Sequence, residues 1–255
     1  MTAQWFEMRF PIFVFLFTFI GLLLSLRLGV FLGKKQNLDK DSREDFNIVL
    51  GGTLTLLGLI IGFTFSMAVS RYDLRKSHEE DEANAIGTEF LRVEVLPAAD
   101  GPKIQDQLKK YLELRIAFYK ARDSVQLEQI NQDTERLQAE LWSATRKSAT
   151  AQPTALSALS VSGMNDVLNT QGYTQAAWLN RIPYAAWLLM VAIAFLSSLL
   201  IGIGAHKINI SFSLALPLVT AIAFFLIADL DSPRGGLIRL HPENLASLSG
   251  QLNAH

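Results

Sequence analysis

The chain contains no cysteine and only four histidines in 255 residues. The lack of cysteine excludes disulfides, thiolate nucleophiles and cysteine-ligated metals. His78, His206, His241 and His255 show no spacing of the His-Glu-x-x-His kind, so no metal site and no cofactor is expected. No phosphate-binding glycine loop, nucleophile elbow or catalytic carboxylate pair stands out, and no enzyme is expected. Charge is scarce as well. Asp, Glu, Lys and Arg make up 18% of the chain, against roughly 25% in an ordinary soluble domain. The net charge of −1 leaves no electrostatic case for a nucleic-acid partner.

What charge there is avoids four long apolar blocks. A helix needs about 20 mostly apolar residues to cross a hydrocarbon core of roughly 30 Å. Phe10 to Leu32 meets that length with one charge, Arg27. Ile48 to Val69, Ile182 to Ala205 and Ile208 to Ala228 carry none, although Pro217 falls inside the last. None of the blocks alternates with period two, which excludes barrel strands. The first is longer than a signal peptide's apolar region, and no small-residue cleavage site follows it. The expected fold class is therefore an all-α integral membrane protein. Four transmembrane helices form two hairpins around an intervening helical soluble domain. The expected divisions are residues 1–69, 70–181, 182–228 and a C-terminal tail, 229–255.

The middle stretch, Ser70 to Arg181, holds 14 Lys/Arg and 16 Asp/Glu and reads as solvated helices. Apolar faces recur at Ile86, Phe90 and Val93, then at Ile104, Leu108, Tyr111 and Phe118. A third face is Ile130, Thr134, Leu137 and Leu141, and a fourth is Leu156, Leu159, Met164 and Leu168. No breaker separates Val69 from Arg71, so the second membrane helix is expected to continue to about Leu96, ahead of Pro97. Glu79, Glu80, Asp81 and Glu82 point in different directions around that helix and read as a solvated face. Near the helix ends, seven basic residues on the domain side face five on the other. That bias places the domain and both termini on the cytoplasmic side of the membrane. Trp5, Tyr72, Trp178, Tyr184 and Trp187 fit an interfacial belt on the domain side.

The second block carries the candidate site. Gly51, Thr55, Gly58, Gly62 and Ser66 recur at spacings of three and four, a line of small residues that lets helix backbones approach closely in lipid. The line serves either packing within the chain or packing between subunits. On an adjoining face, Leu59, Phe63 and Met67 are four apart. They read either as lipid or core contacts or as an apolar constriction repeated around an axis. Arg27 reads as a snorkelling side chain or as part of an ion path. After the fourth block, Asp229, Asp231 and Arg234 stand in Asp-Leu-Asp-Ser-Pro-Arg-Gly-Gly, a turn-forming run at the membrane edge. These charges can pair with one another or fasten the tail.

Four stretches together resemble a bacterial bestrophin-like family. They are Gly62-Phe-Thr-Phe-Ser-Met-Ala-Val-Ser-Arg-Tyr-Asp73, Glu82-Ala-Asn-Ala-Ile-Gly-Thr88, Asn180-Arg-Ile-Pro-Tyr-Ala-Ala-Trp187 and Asp229-Leu-Asp-Ser-Pro-Arg234. Bestrophins are homopentameric anion channels with four membrane helices per subunit and a large cytosolic helical part. Their second helix lines the pore with apolar residues four apart. The resemblance implies a homo-oligomer, a pentamer on that pattern, embedded in membrane lipids and conducting small anions such as chloride. Leu59, Phe63 and Met67, with Ser66 beside them, would line the pore, and Gly51, Thr55, Gly58 and Gly62 would pack the oligomer. The tail has only Asp229, Asp231 and Glu243 as acids, so the dense acidic clasp of calcium-gated bestrophins is missing. Two hairpins flanking a helical domain also resemble the layout of proton-driven stator subunits. The lack of any acid within the four blocks argues against a self-sufficient proton machine. A membrane scaffold or sensor is the third reading.

Overall fold

The computed structural model describes residues 2–34, 40–97, 99–205 and 210–254. The side chains of 2–9, 40–41 and 210–213 lie outside that description, as do the predicted loop residues His206 and Lys207. Among the described residues there is no strand. In these residues eight α-helices follow one another: α1 (Thr2–Gly33), α2 (Lys40–Arg92), α3 (Gly101–Lys120), α4 (Ser124–Ala151), α5 (Ala155–Leu179), α6 (Tyr184–Gly204), α7 (Ile210–Asp231) and α8 (Glu243–Ala254). Stretches of α1, α2, α6 and α7 are long and apolar enough to cross a membrane. The chain is an all-α integral membrane protein. Its α2 starts earlier than the apolar block alone indicates, at Lys40, and closes in a 3-10 turn at Val93–Val95 before Pro97.

The chain divides into two compact units. The first comprises residues 1–71 and 181–239. In it α1 packs against both α6 and α7, and the contact with α6 is backbone on backbone. A β-carbon at Gly29 would stand 2.9 Å from the Gly202 Cα and on top of the Leu199 carbonyl oxygen. One at Gly202 would stand 2.8 Å from the Gly29 Cα and from the Val30 nitrogen. Gly33 abuts Ile203 in the same way, and the Phe195 ring covers Gly21. Two hydroxyls fasten the pair: Ser25 Oγ donates to the Phe195 carbonyl at 2.8 Å, and Ser198 Oγ to the Leu22 carbonyl at 3.0 Å. Gly21, Ser25, Gly29 and Gly33 thus form a second line of small residues, four apart, which the sequence reading passed over. Pro217 lies inside α7, which continues through it.

The second unit comprises residues 72–180 and 240–255. Its core gathers Ile86 and Val93, Ile104, Leu108, Tyr111 and Phe118, and Ile130, Leu137 and Leu141. Three of the four expected apolar faces are therefore the buried ones. The fourth is so only in its second half: Met164 is buried in the core and Leu168 is half-buried, but Leu156 and Leu159 are exposed. Beside Met164, helix α5 buries Ser157, Ser160, Gly163 and Val167, because small side chains let it lie close to its neighbours. Ser160 Oγ, for example, donates to the Arg92 carbonyl at 2.9 Å. Trp178 also departs from expectation. It is buried in this core, edge-on to Phe118 and Tyr119 with ring centroids 5.1 and 5.4 Å away, and so is not part of an interfacial belt.

The run of four acids in α2 splits by helix phase. Glu80 and Asp81 are exposed, but Glu79 and Glu82 are buried. Glu79 accepts hydrogen bonds from the Leu245 backbone N–H at 2.9 Å and from Asn244 Nδ2 at 2.7 Å. It caps the positive N-terminus of α8. Glu82 Oε1 accepts from Arg115 Nη2 at 3.0 Å and from Arg115 Nε at 3.2 Å. Burial pushes the Glu82 carboxyl above its usual range against the opposing pull of that guanidinium. The Arg115 guanidinium also lies over the Phe118 ring, 4.5 Å from its centroid. Arg75, also buried, donates from Nε to the Ala177 carbonyl at 3.2 Å and so closes the C-terminal end of α5.

Candidate pore helix and membrane-edge motif

Within its membrane-spanning part, α2 has two distinct sides. Leu57, Thr64 and Ala68 are buried within the first unit. At roughly 100° per residue, Leu59, Phe63 and Met67 lie about 120° around the helix from that buried line. They are exposed in the single chain, at 51%, 62% and 40%. Ser66 is exposed beside them. The line of small residues lies about 140° from the buried line on its other flank. Gly51, Gly58 and Gly62 have nothing within 4 Å of the place a β-carbon would take. Thr55 is exposed and donates its hydroxyl to the Gly51 carbonyl at 2.9 Å. Thr53 and Thr64 bond back to the carbonyls four residues earlier in the same way, at 2.7 and 2.8 Å, so none of these three threonine hydroxyls seeks water in an apolar setting. Packing within the chain therefore does not account for these glycines.

The membrane-edge motif is built differently. Asp229 is fully buried. Its Oδ1 accepts from the Leu237 N–H and its Oδ2 from the Ile238 N–H, both at 2.7 Å. That grip requires Gly236, which sits at φ +79°. A β-carbon there would be strained and would also collide with the Asp229 carboxylate. Asp231 Oδ1 accepts from the Ile182 N–H at 3.0 Å and faces Arg71 Nη1 at 3.6 Å. Arg181 Nη1 donates to the Asp231 carbonyl. The two acids thus hold the turn after α7 and the start of the α6 segment through backbone amides. Arg234 is half-buried in the same turn. Sequence reading placed these acids together but not their partners, since a backbone N–H leaves no trace in residue types. Among the described residues no group of His, Asp and Glu is arranged to hold a metal ion.

The fold is shared with solved structures. A crystal structure of a bacterial bestrophin homologue from Klebsiella pneumoniae superposes with a TM-score of 0.67 at 15% identity, over 95% of this chain and 97% of that one. Two single-mutation variants of a Klebsiella pneumoniae bestrophin homologue give TM-scores of 0.65 and 0.64, also at 15% identity. They cover 96% and 95% of this chain and 98% and 97% of theirs. Among curated proteins no sequence matches the chain. The model of the bestrophin-like domain matches residues 12–245, and the chain belongs to the bestrophin-like family.

Proposed function

We propose that this chain is one subunit of a homo-oligomeric membrane channel that conducts small anions such as chloride. Membership of the bestrophin-like family and the shared fold support a channel-type protein. The observation that carries the reading is the outer side of α2. It combines a glycine line open to a neighbour with a row of exposed apolar side chains, in a segment long enough to span a bilayer. Copies of α2 set around one axis would bring Gly51, Thr55, Gly58 and Gly62 against a neighbouring helix, because only small side chains let backbones crowd together. Leu59, Phe63 and Met67, with Ser66, would then face a narrow apolar passage. A pentamer in a bacterial inner membrane, with residues 70–181 and both termini in the cytoplasm, fits the same reading.

The test is flux from liposomes. Purified protein reconstituted without calcium should pass chloride well above empty vesicles and above its own potassium flux. No flux in folded protein over a range of voltage and pH would leave a scaffold or sensor as the better reading.

A further inference from the structure

We infer that the α1 side of the membrane unit carries a site for one anionic phospholipid, its acyl chain in a groove and its phosphate on Arg27. The groove lies between α1 and α6, lined by Phe17, Gly21, Leu24, Leu28 and Phe195, with a volume of about 470 Å³. Its floor exists because Gly21 has no side chain, so the Phe195 ring lies directly against the helix. Its walls, Phe17, Leu24 and Leu28, are all more than half exposed. Phe17 to Leu28 covers about 16 Å along the axis, close to half of a hydrocarbon core of roughly 30 Å. One leaflet's acyl chain has that reach.

Charge selects the lipid. Arg27 is exposed, next to Leu28 and one turn from Leu24. Bringing a guanidinium into an apolar span is costly unless it meets a countercharge. The four apolar blocks supply none, for they contain no Asp or Glu. Among the described residues no carboxylate pairs with Arg27. Lys34, seven residues on and exposed, falls on nearly the same side of the helix. Arg27 stands about 8 Å below Leu32, within reach of the phosphate level for a long side chain. A phosphodiester in the same leaflet is the countercharge at hand, and a headgroup of net negative charge is favoured over a zwitterion.

The experiment uses the full-length protein in mild detergent, given equal amounts of phosphatidylglycerol and phosphatidylcholine and examined by native mass spectrometry. The wild type should retain phosphatidylglycerol in preference by about fivefold or more, as one basic contact at a membrane surface provides. R27Q should retain both lipids equally, and R27K should keep most of the preference. L24W, which narrows the groove, should lower retention of both. Equal retention by the wild type, or an unchanged preference in R27Q, overturns the site. So does efficient cross-linking between chains through a cysteine placed at Leu24, since a second copy would then occupy the groove. The readout is independent of anion flux, so it can fail while the channel reading stands.

Discussion

Helices α1 and α2 each carry a line of small residues at spacings of three to four, yet the two lines are used in opposite ways. On α1, Gly21, Gly29 and Gly33 are covered by α6, at Gly29 so closely that a single β-carbon would strike a carbonyl oxygen. On α2, Gly51, Gly58 and Gly62 face open space. Identical chemistry therefore does not indicate identical duty. A glycine line in lipid marks a place where two backbones meet, and only the structure tells whether the second backbone belongs to the same chain. On α1 it does. On α2 the partner must come from outside the chain or the glycines have no packing role.

The largest expected effect falls on the closed line. G29L has no space to enter, because what it meets is backbone rather than a movable side chain. Overpacking of this kind costs about 3 kcal/mol or more. The variant should fail to give folded protein in detergent, as judged by size-exclusion and tryptophan emission. A well-folded G29L would mean that the α1–α6 approach is looser than the geometry shows. D229A should come next. It removes both acceptors from the Leu237 and Ile238 amides in a buried setting, a loss of about 3 kcal/mol, read as a lower thermal midpoint.

The open line should respond differently. G62L ought to leave the single chain folded, with normal helicity and a thermal midpoint close to that of the wild type after dissociation. The oligomer should be lost or reduced on size-exclusion with light scattering. If G62L keeps the wild-type mass, the second line is not an assembly surface. On the adjoining face, F63A should preserve assembly and raise conductance severalfold by widening an apolar constriction. The absence of native cysteine lets single cysteines at Leu59, Phe63 and Met67 report directly. Water-soluble thiol reagents should reach them if they line a passage, whereas reaction with lipid-soluble reagents alone would place them against lipid.

Much of this contrast was legible in the sequence, and its missing parts have physical causes. The four spans follow from block length, and the faces of α3 and α4 from period. The α2 line stood out because its glycines, Thr55 and Ser66 interrupt an otherwise bulky helix. Gly21, Ser25, Gly29 and Gly33 have the same spacing but lie in a block so uniformly apolar that no polar side sets them off. Glu79 and Glu82 read as solvated because a run of acids usually is. Their burial depends on α8 and Arg115, which arrive from far along the chain. Trp178 read as interfacial from its place near a span, but a tryptophan ahead of Pro183 is equally free to turn into a soluble core. The lipid-facing groove needed Gly21 and Phe195 together, 174 positions apart in the sequence.

A third close approach sharpens the contrast with the smallest expected effect. In the second unit a β-carbon at Gly163 would meet the Glu89 carboxylate. Here a glycine makes room for an ionisable group rather than for backbone. Glu89 is fully buried, and neither carboxylate oxygen has a hydrogen-bond partner. Burial raises its pKa to about 8, a shift that the nearby Arg92 opposes and Asp166 reinforces. A pKa raised on folding means that the folded state holds the proton more tightly than the unfolded state does. Its contribution to stability is therefore complete below the unfolded pKa, near 4.5, and is lost as pH rises through about 8. E89Q keeps the shape and removes the titration. Wild type and variant should have similar thermal midpoints at pH 4. The variant should gain progressively as pH rises and lead by several degrees at pH 9. A gap that stays constant from pH 4 to pH 9 would show that Glu89 is already ionised in the folded protein. Gly163 would then be packing against a charge stabilised by Arg92, and the contact would resemble the ion pair of Glu82 with Arg115 rather than a neutral acid held in a close-packed site.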